Sequence, residues 1–179
     1  MSVEKGLSVK ASGALRGAIV VAVAAGVLVI SGCATADTAA VVDGHRITEQ
    51  SAQEAALQIQ KAQPNAEQQL TTPNAVASLV MARFINAAAD QAGKGLSDSA
   101  ARAAIPAITD PAPATLELIR ASLAWNQMTT EEQNSAVTAA SKADVTINPR
   151  YGTFDPAKVR FDVSTPNWIK AEPAPVPQG

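Results

Sequence analysis

One thiol and one imidazole set the limits of the chemistry this chain can do. Cys33 is the only cysteine and His45 the only histidine in 179 residues. A structural zinc site takes four N or S ligands, and one of each cannot supply it. His45 follows Asp43-Gly44, a turn dipeptide. A solvated turn residue accounts for it better than a general base, because its neighbour Asp43 is spoken for by the turn. No Gly-x-Ser-x-Gly elbow is present to raise a nucleophilic serine. Gly93-Lys94-Gly95 lacks the third glycine of a dinucleotide loop and follows a helical pattern, so it reads as a helix cap. Glu131-Glu132 is a pair of carboxylates, but adjacent helical residues point in different directions. Helix capping explains the pair better than acid–base work. The residues therefore point to no catalytic set, no metal site and no cofactor, and to a protein that is not an enzyme.

The Cys33 thiol has a different setting. Lys5, Lys10 and Arg16 precede an uncharged run from Gly17 to Ile30 that is rich in Ala and Val, and Ser31-Gly32 lead into the cysteine. A positive stretch, an apolar stretch and a small residue before a cut make a secretory signal peptide. The ending Val29-Ile30-Ser31-Gly32-Cys33 resembles the bacterial lipobox. That resemblance implies a diacylglyceryl group on the Cys33 sulfur and cleavage before Cys33, with residues 1–32 removed. Each buried methylene is worth about 0.8 kcal/mol, so one acyl chain holds marginally and two hold stably. The expected location is the extracytoplasmic face of the cell membrane. A transmembrane anchor is the competing reading, since Gly17 to Ala36 is 20 uncharged residues. Gly26, Ser31 and Gly32 weaken it.

Beyond residue 32 the chain keeps 11 of its 14 basic and 15 of its 16 acidic residues, a net charge of −4. No basic stripe exists, which argues against nucleic acid and anionic head groups as partners. One cysteine cannot form an intrachain disulfide, so packing alone must hold the exported part together. Aromatics are only 3% of the chain. Ala is the best helix former but buries little area per residue, so mostly helical structure of modest stability is expected.

Residues 33–38 read as the lipidated cysteine and a short tether. Val41-Val42, Asp43-Gly44 and Arg46-Ile47 spell a hairpin with a type I′ turn. Thr48 caps a helix from Glu49 to about Gln63, with Ala52, Ala55, Ala56 and Ile59 as its apolar face. A second helix, capped by Thr72, places Val76, Val80, Phe84 and Ala88 at four-residue spacing and ends near Gly93. This is the core helix, and Val80 and Phe84 are expected at the centre of the bundle. Ser97 starts a third helix to about Ile105. After Asp110-Pro111-Ala112-Pro113 comes a fourth, with Leu116, Ile119 and Leu123 on one face, reaching Gln127. Thr129 and Glu132 match a capping box for a fifth helix to Lys142. Val145–Ile147 reads as a strand and Asn148 to Gly152 as a bend. Residues 157–163 read as another short strand, and residues 166–179 as a Pro-rich tail. A lone hairpin is marginal, so the strand at Val145 is expected to pair with Val41-Val42 and close a domain over residues 39–165. Trp125 is expected in the core. Trp168 is open between surface packing and binding.

The stretch Ala40-Val41-Val42-Asp43-Gly44-His45-Arg46-Ile47-Thr48 resembles the opening of the N-terminal domain of SurA-like chaperones and foldase lipoproteins, where a hairpin leads straight into a helix. Leu79 to Ile85, Ala87 to Gly93 and Leu96-Ser97-Asp98 are similar to a later stretch of that family. Asn148 to Asp155 resembles the closing segment of actinobacterial SurA-like lipoproteins. The resemblance implies a bundle of about five helices closed by a small β element from both ends of the domain. It also implies a chaperone-like partner preference, unfolded exported polypeptides. Family members that isomerise prolines carry a separate parvulin domain, and the chain has no room for one, so that activity is not implied. A structural lipoprotein docking one envelope partner is the alternative. An exposed apolar groove would favour the first reading and a compact polar surface the second.

Overall fold

The computed structural model describes residues 37–163. Cys33, residues 1–32 read as a signal peptide, Trp168 and residues 166–179 read as a tail lie outside the described residues. The N-terminal hairpin is β1 (Thr38–Val42) and β2 (His45–Thr48). Asp43 and Gly44 between them have φ of 48° and 78°, both left-handed, as a type I′ turn requires. Five helices follow: α1 (Glu49–Ala62), α2 (Thr72–Gln91), α3 (Asp98–Ala104), α4 (Pro113–Gln127) and α5 (Thr130–Lys142). The described residues close with β3 (Val145–Ile147), β4 (Gly152–Asp155) and β5 (Arg160–Val163). The architecture is thus mixed: a helical bundle with small antiparallel β elements.

The expected closure forms. β1 lies between β2 and β3, with Ala40, Val41 and Val42 opposite Ile147, Thr146 and Val145. Side-chain and backbone hydrogen bonds extend the seam at both ends. The Asp144 amide donates to Asp43 Oδ1 at 2.9 Å, and Asn148 Nδ2 donates to the Thr38 carbonyl at 3.0 Å. The residues read as a bend, Asn148 to Gly152, form the turn into β4, and β4 and β5 form a second hairpin in which the strand read over 157–163 gains a partner. The Phe154 and Phe161 rings, 4.8 Å apart, hold the two strands across the register. Gly152 has a φ of 134°, and a Cβ there would collide with the Asp162 carbonyl, so only glycine fits.

The helices start where side chains can accept orphan amides. Thr48 accepts from Ser51, and Ser97 from Ala100. Thr71, not Thr72, caps α2, and Pro73 sits in the first turn, where its missing N–H costs nothing. Thr129 and Glu132 complete the reciprocal capping box of α5. α2 packs against α1, α4 and α5 and forms the axis of the core. Val80 is fully buried and Phe84 is 8% exposed, as their spacing requires.

Alanine supplies 14 of the 23 residues in the main core cluster. Such a core works by close helix approach, since each methyl removes little area from water. α4 departs from the expected face for this reason. Its side toward the main core is Ala114, Leu118, Ala121 and Ala124, while Leu116 packs with Ala101 and Ile105 in a smaller cluster beside α3. Leu123 and Ile119 are only half-buried.

Candidate binding groove

Three elements form a depression of about 460 Å³. α2 contributes Ser78, Met81, Ala82 and Ile85, and α4 contributes Leu118, Ile119, Ala121, Ser122, Trp125 and Asn126. The end of α1 adds Ile59 and Gln63, and the α1–α2 loop adds Leu70. No charged side chain is among them. Met81 and Ile85 flank the core stripe of α2, so one helix packs the bundle with one face and lines the groove with the next. Trp125 packs against the main core as expected, but it is half-buried and also forms part of the groove wall.

A second depression of about 270 Å³ shares Ile59, Gln63 and Leu70 with the groove and adds Gln60, Gln68, Gln69 and Asn74. The apolar groove therefore runs into a neighbouring hollow lined with side-chain amides. The Gln60 and Gln69 amide nitrogens already donate to loop carbonyls, so the hollow presents their oxygens together with the Gln68 and Asn74 side-chain amides. These uncharged groups suit a polypeptide main chain.

Hydrogen bonds brace the walls. Gln60 Nε2 donates to the Leu70 carbonyl at 2.7 Å and holds the loop down. Gln133 Nε2 donates to the Trp125 carbonyl at 2.9 Å, and Asn86 Nδ2 to the Glu117 carbonyl at 3.2 Å. α4 has no side-chain cap of its own. Gln58 of α1 acts in its place. Its Oε1 accepts from the Ala112 amide at 2.9 Å and from the buried Thr115 hydroxyl at 2.6 Å, and its Nε2 donates to the Asp110 carbonyl at 3.2 Å. This bond set ties α4 to α1 across more than 50 residues of sequence.

The titratable residues stand apart from the groove. His45 is exposed at the start of β2. It borders a separate cleft with Ile47, Ser51, Leu79 and Glu117. Burial pushes the Glu117 carboxyl up, against the pull of Arg83, His45 and Arg120. Ser51 is already committed, its hydroxyl donating to the Thr48 carbonyl at 2.8 Å. Glu132 has the capping role read from its spacing. Its Oε2 accepts from the Thr129 amide at 2.7 Å and pairs with Lys94 Nζ at 2.6 Å. The bond from Lys94, with that from Thr129, holds its carboxyl below the usual range. Gly93, with a φ of 70°, ends α2, and the Lys94 amide donates back to the Ala89 carbonyl at 2.8 Å. Burial, with Glu49 nearby, pushes the Tyr151 hydroxyl up to about 12. Arg150 reaches the same Glu49 at 3.5 Å, which fastens the β3–β4 turn to the start of α1.

Among the described residues no cluster of three or more His, Cys, Asp or Glu could hold a metal ion. No helix among them is long and apolar enough to cross a membrane. The proposed lipid attachment at Cys33 and the binding reading of Trp168 fall outside the described residues. No family model, no curated protein and no solved structure matches this chain.

Proposed function

We propose that this chain is a lipid-anchored extracytoplasmic lipoprotein whose helical domain, similar to the N-terminal domain of SurA, holds apolar stretches of unfolded exported polypeptides. The observation that carries the reading is the uncharged groove and the amide-lined hollow that adjoins it. A folded partner would need a matched surface. An unfolded chain presents apolar side chains and unpaired main-chain amides, and the two hollows answer those two features. A groove of this volume lies within the range of binding clefts. The hairpin that runs straight into a capped helix adds to the family resemblance. The resemblance is to the family's N-terminal domain, and binding without prolyl isomerisation is the activity proposed for it. The concave apolar surface favours this reading over a scaffold lipoprotein with a polar surface.

Two measurements test it. The purified protein should suppress aggregation of an unfolded exported protein. Ser122→Asp and Asn126→Asp, which place charges at exposed positions of the groove lining, should weaken suppression while the thermal midpoint stays close to wild type. Wild-type protein that leaves aggregation unchanged would sink the chaperone reading. Mass spectrometry of the native N-terminus should find an acylated Cys33 and no residues 1–32. An intact Met1 or an unmodified Cys33 in the membrane fraction would refute the anchor.

A further inference from the structure

β2 is an edge of the three-stranded sheet, whose order is β2-β1-β3. The Asp43 amide donates to the Asp144 carbonyl at 2.8 Å, and the Asn148 amide to the Ala39 carbonyl at 2.9 Å, so these groups of β1 and its turn point toward β3. Main-chain direction alternates along a strand, so Ala40 and Val42 turn toward β2 and pair there with Ile47 and His45. Arg46, between those two, faces Val41 in a pair without hydrogen bonds. Its N–H and C=O therefore point away from β1, where no described strand takes them. On that side a cleft of about 270 Å³ runs along β2 from His45 to Thr48. Leu79 of α2 and Pro113, Ala114 and Glu117 of α4 stand across from the strand. Leu79 and Ala114 are buried, and they give the cleft an apolar floor.

We infer that the β2 edge is a second polypeptide site, where an extended segment of a foreign chain pairs with the Arg46 main chain and lays one small or β-branched apolar side chain between Leu79 and Ala114. This site is separate from the groove between α2 and α4 and does not depend on it. The chemistry of the occupant follows from the edge. Main-chain hydrogen bonds hold an added strand, and a pocket beside the edge reads its alternate side chains. Extended backbone offers a donor and an acceptor at the spacing Arg46 presents, whereas a helix has used both within itself. β2 is only four residues long and carries the Arg46 charge, which limits the occupant to a short segment and keeps sheets from stacking edge to edge. A second copy is the poorer occupant. Each copy has its own α4 across from its β2, so joining two β2 edges would bring two such walls into one slot.

The test uses the full chain in detergent and a capped five-residue peptide of alternating Thr and Val. With peptide at about ten times its Kd, amide hydrogen exchange at Arg46, followed by NMR, should slow about 10-fold. The same peptide N-methylated at every residue has no main-chain donors and should bind on the order of 10-fold more weakly. Arg46→Pro removes the donor from the protein instead, a change that edge strands tolerate, and should weaken binding by a similar factor. If that variant does not fold, the methylated peptide decides the matter on intact protein. Equal affinity for the two peptides, or unchanged exchange at Arg46, overturns the inference. Perturbed resonances at Ile85 and Trp125 with Arg46 unmoved would also overturn it, placing the peptide in the groove and leaving the client reading standing. An Arg46 amide already protected without peptide, in protein that sediments as a dimer, would overturn it by showing the edge covered by a second copy.

Discussion

Glu117 shows how burial and charge compete at one residue. Its carboxyl lies between α4, α2 and β2, where Arg83, His45 and Arg120 favour the ionised form and loss of water opposes it. Loss of water wins, and the carboxyl titrates above its usual range. The sign of the stability effect follows from linkage. An acid whose folded pKa is raised makes its full contribution below its unfolded value, about 4.3 for Glu. That contribution is lost as pH rises through the raised value. Glu117→Gln should therefore raise the thermal midpoint at pH 7, and its advantage should shrink as pH falls toward 4. Thermal unfolding at several pH values checks it. A variant less stable than wild type at pH 7, with a deficit that shrinks in acid, would show that the arginines outweigh burial. Residue types near Glu117 were visible in the sequence, but its burial was not. Glu117, Arg83 and His45 meet only when β2 folds against α2 and α4.

At the scale of elements, α4 depends on α1 for its first turn. Ala112 offers no oxygen at the cap position, and Gln58 supplies it from another helix. Gln58→Ala would leave the Ala112 amide and the buried Thr115 hydroxyl without that acceptor. Leaving buried polar groups unpaired costs about 1–3 kcal/mol, and urea unfolding should show that loss. A change under about 0.5 kcal/mol would mean that water replaces the amide. Caps made by neighbours in sequence were legible: Thr48, Ser97 and the Thr129–Glu132 box all stand where their spacing puts them. The cap from Gln58 was not, since its partners are 52 to 57 residues away. The β4–β5 hairpin was hidden for a related reason. Val159 has a φ of 47°, a conformation that strains a β-branched residue by about 1–3 kcal/mol. It is retained because its side chain packs against the main core. Local preference opposes that turn, and tertiary packing overrides it.

For the molecule as a whole, closure couples the two ends of the domain. β3 pairs with β1, Tyr151 is buried in the main core, and Val159 and Phe161 pack against it. Deleting the chain after Asp144 removes all of these together. The core is largely alanine and has little apolar area in reserve, while a domain of this size has a total stability of about 5–15 kcal/mol. The truncated protein should lose protection against hydrogen exchange throughout α1, α2 and α4, and not only at β1. A truncated protein with intact helical protection would show that the bundle stands alone and that the strands merely decorate it.

The sequence alone determined the helices, most of their caps, the type I′ hairpin, the core position of Val80 and Phe84, and the return of β3 to β1. Each depends on residues near one another in the chain, or on a strand that has no other means to satisfy its edge. The tertiary structure decided which face of α4 turns inward. Size favoured Leu116, Ile119 and Leu123, but α4 packs against α2 and α1 with Ala114, Leu118, Ala121 and Ala124 in the main core. That rotation of α4 left Ile119 and Trp125 half-buried, lining the groove with Met81 and Ile85. The groove exists because an alanine seam draws helices together and displaces larger side chains to its rim, and a seam between helices is a property of neither helix alone.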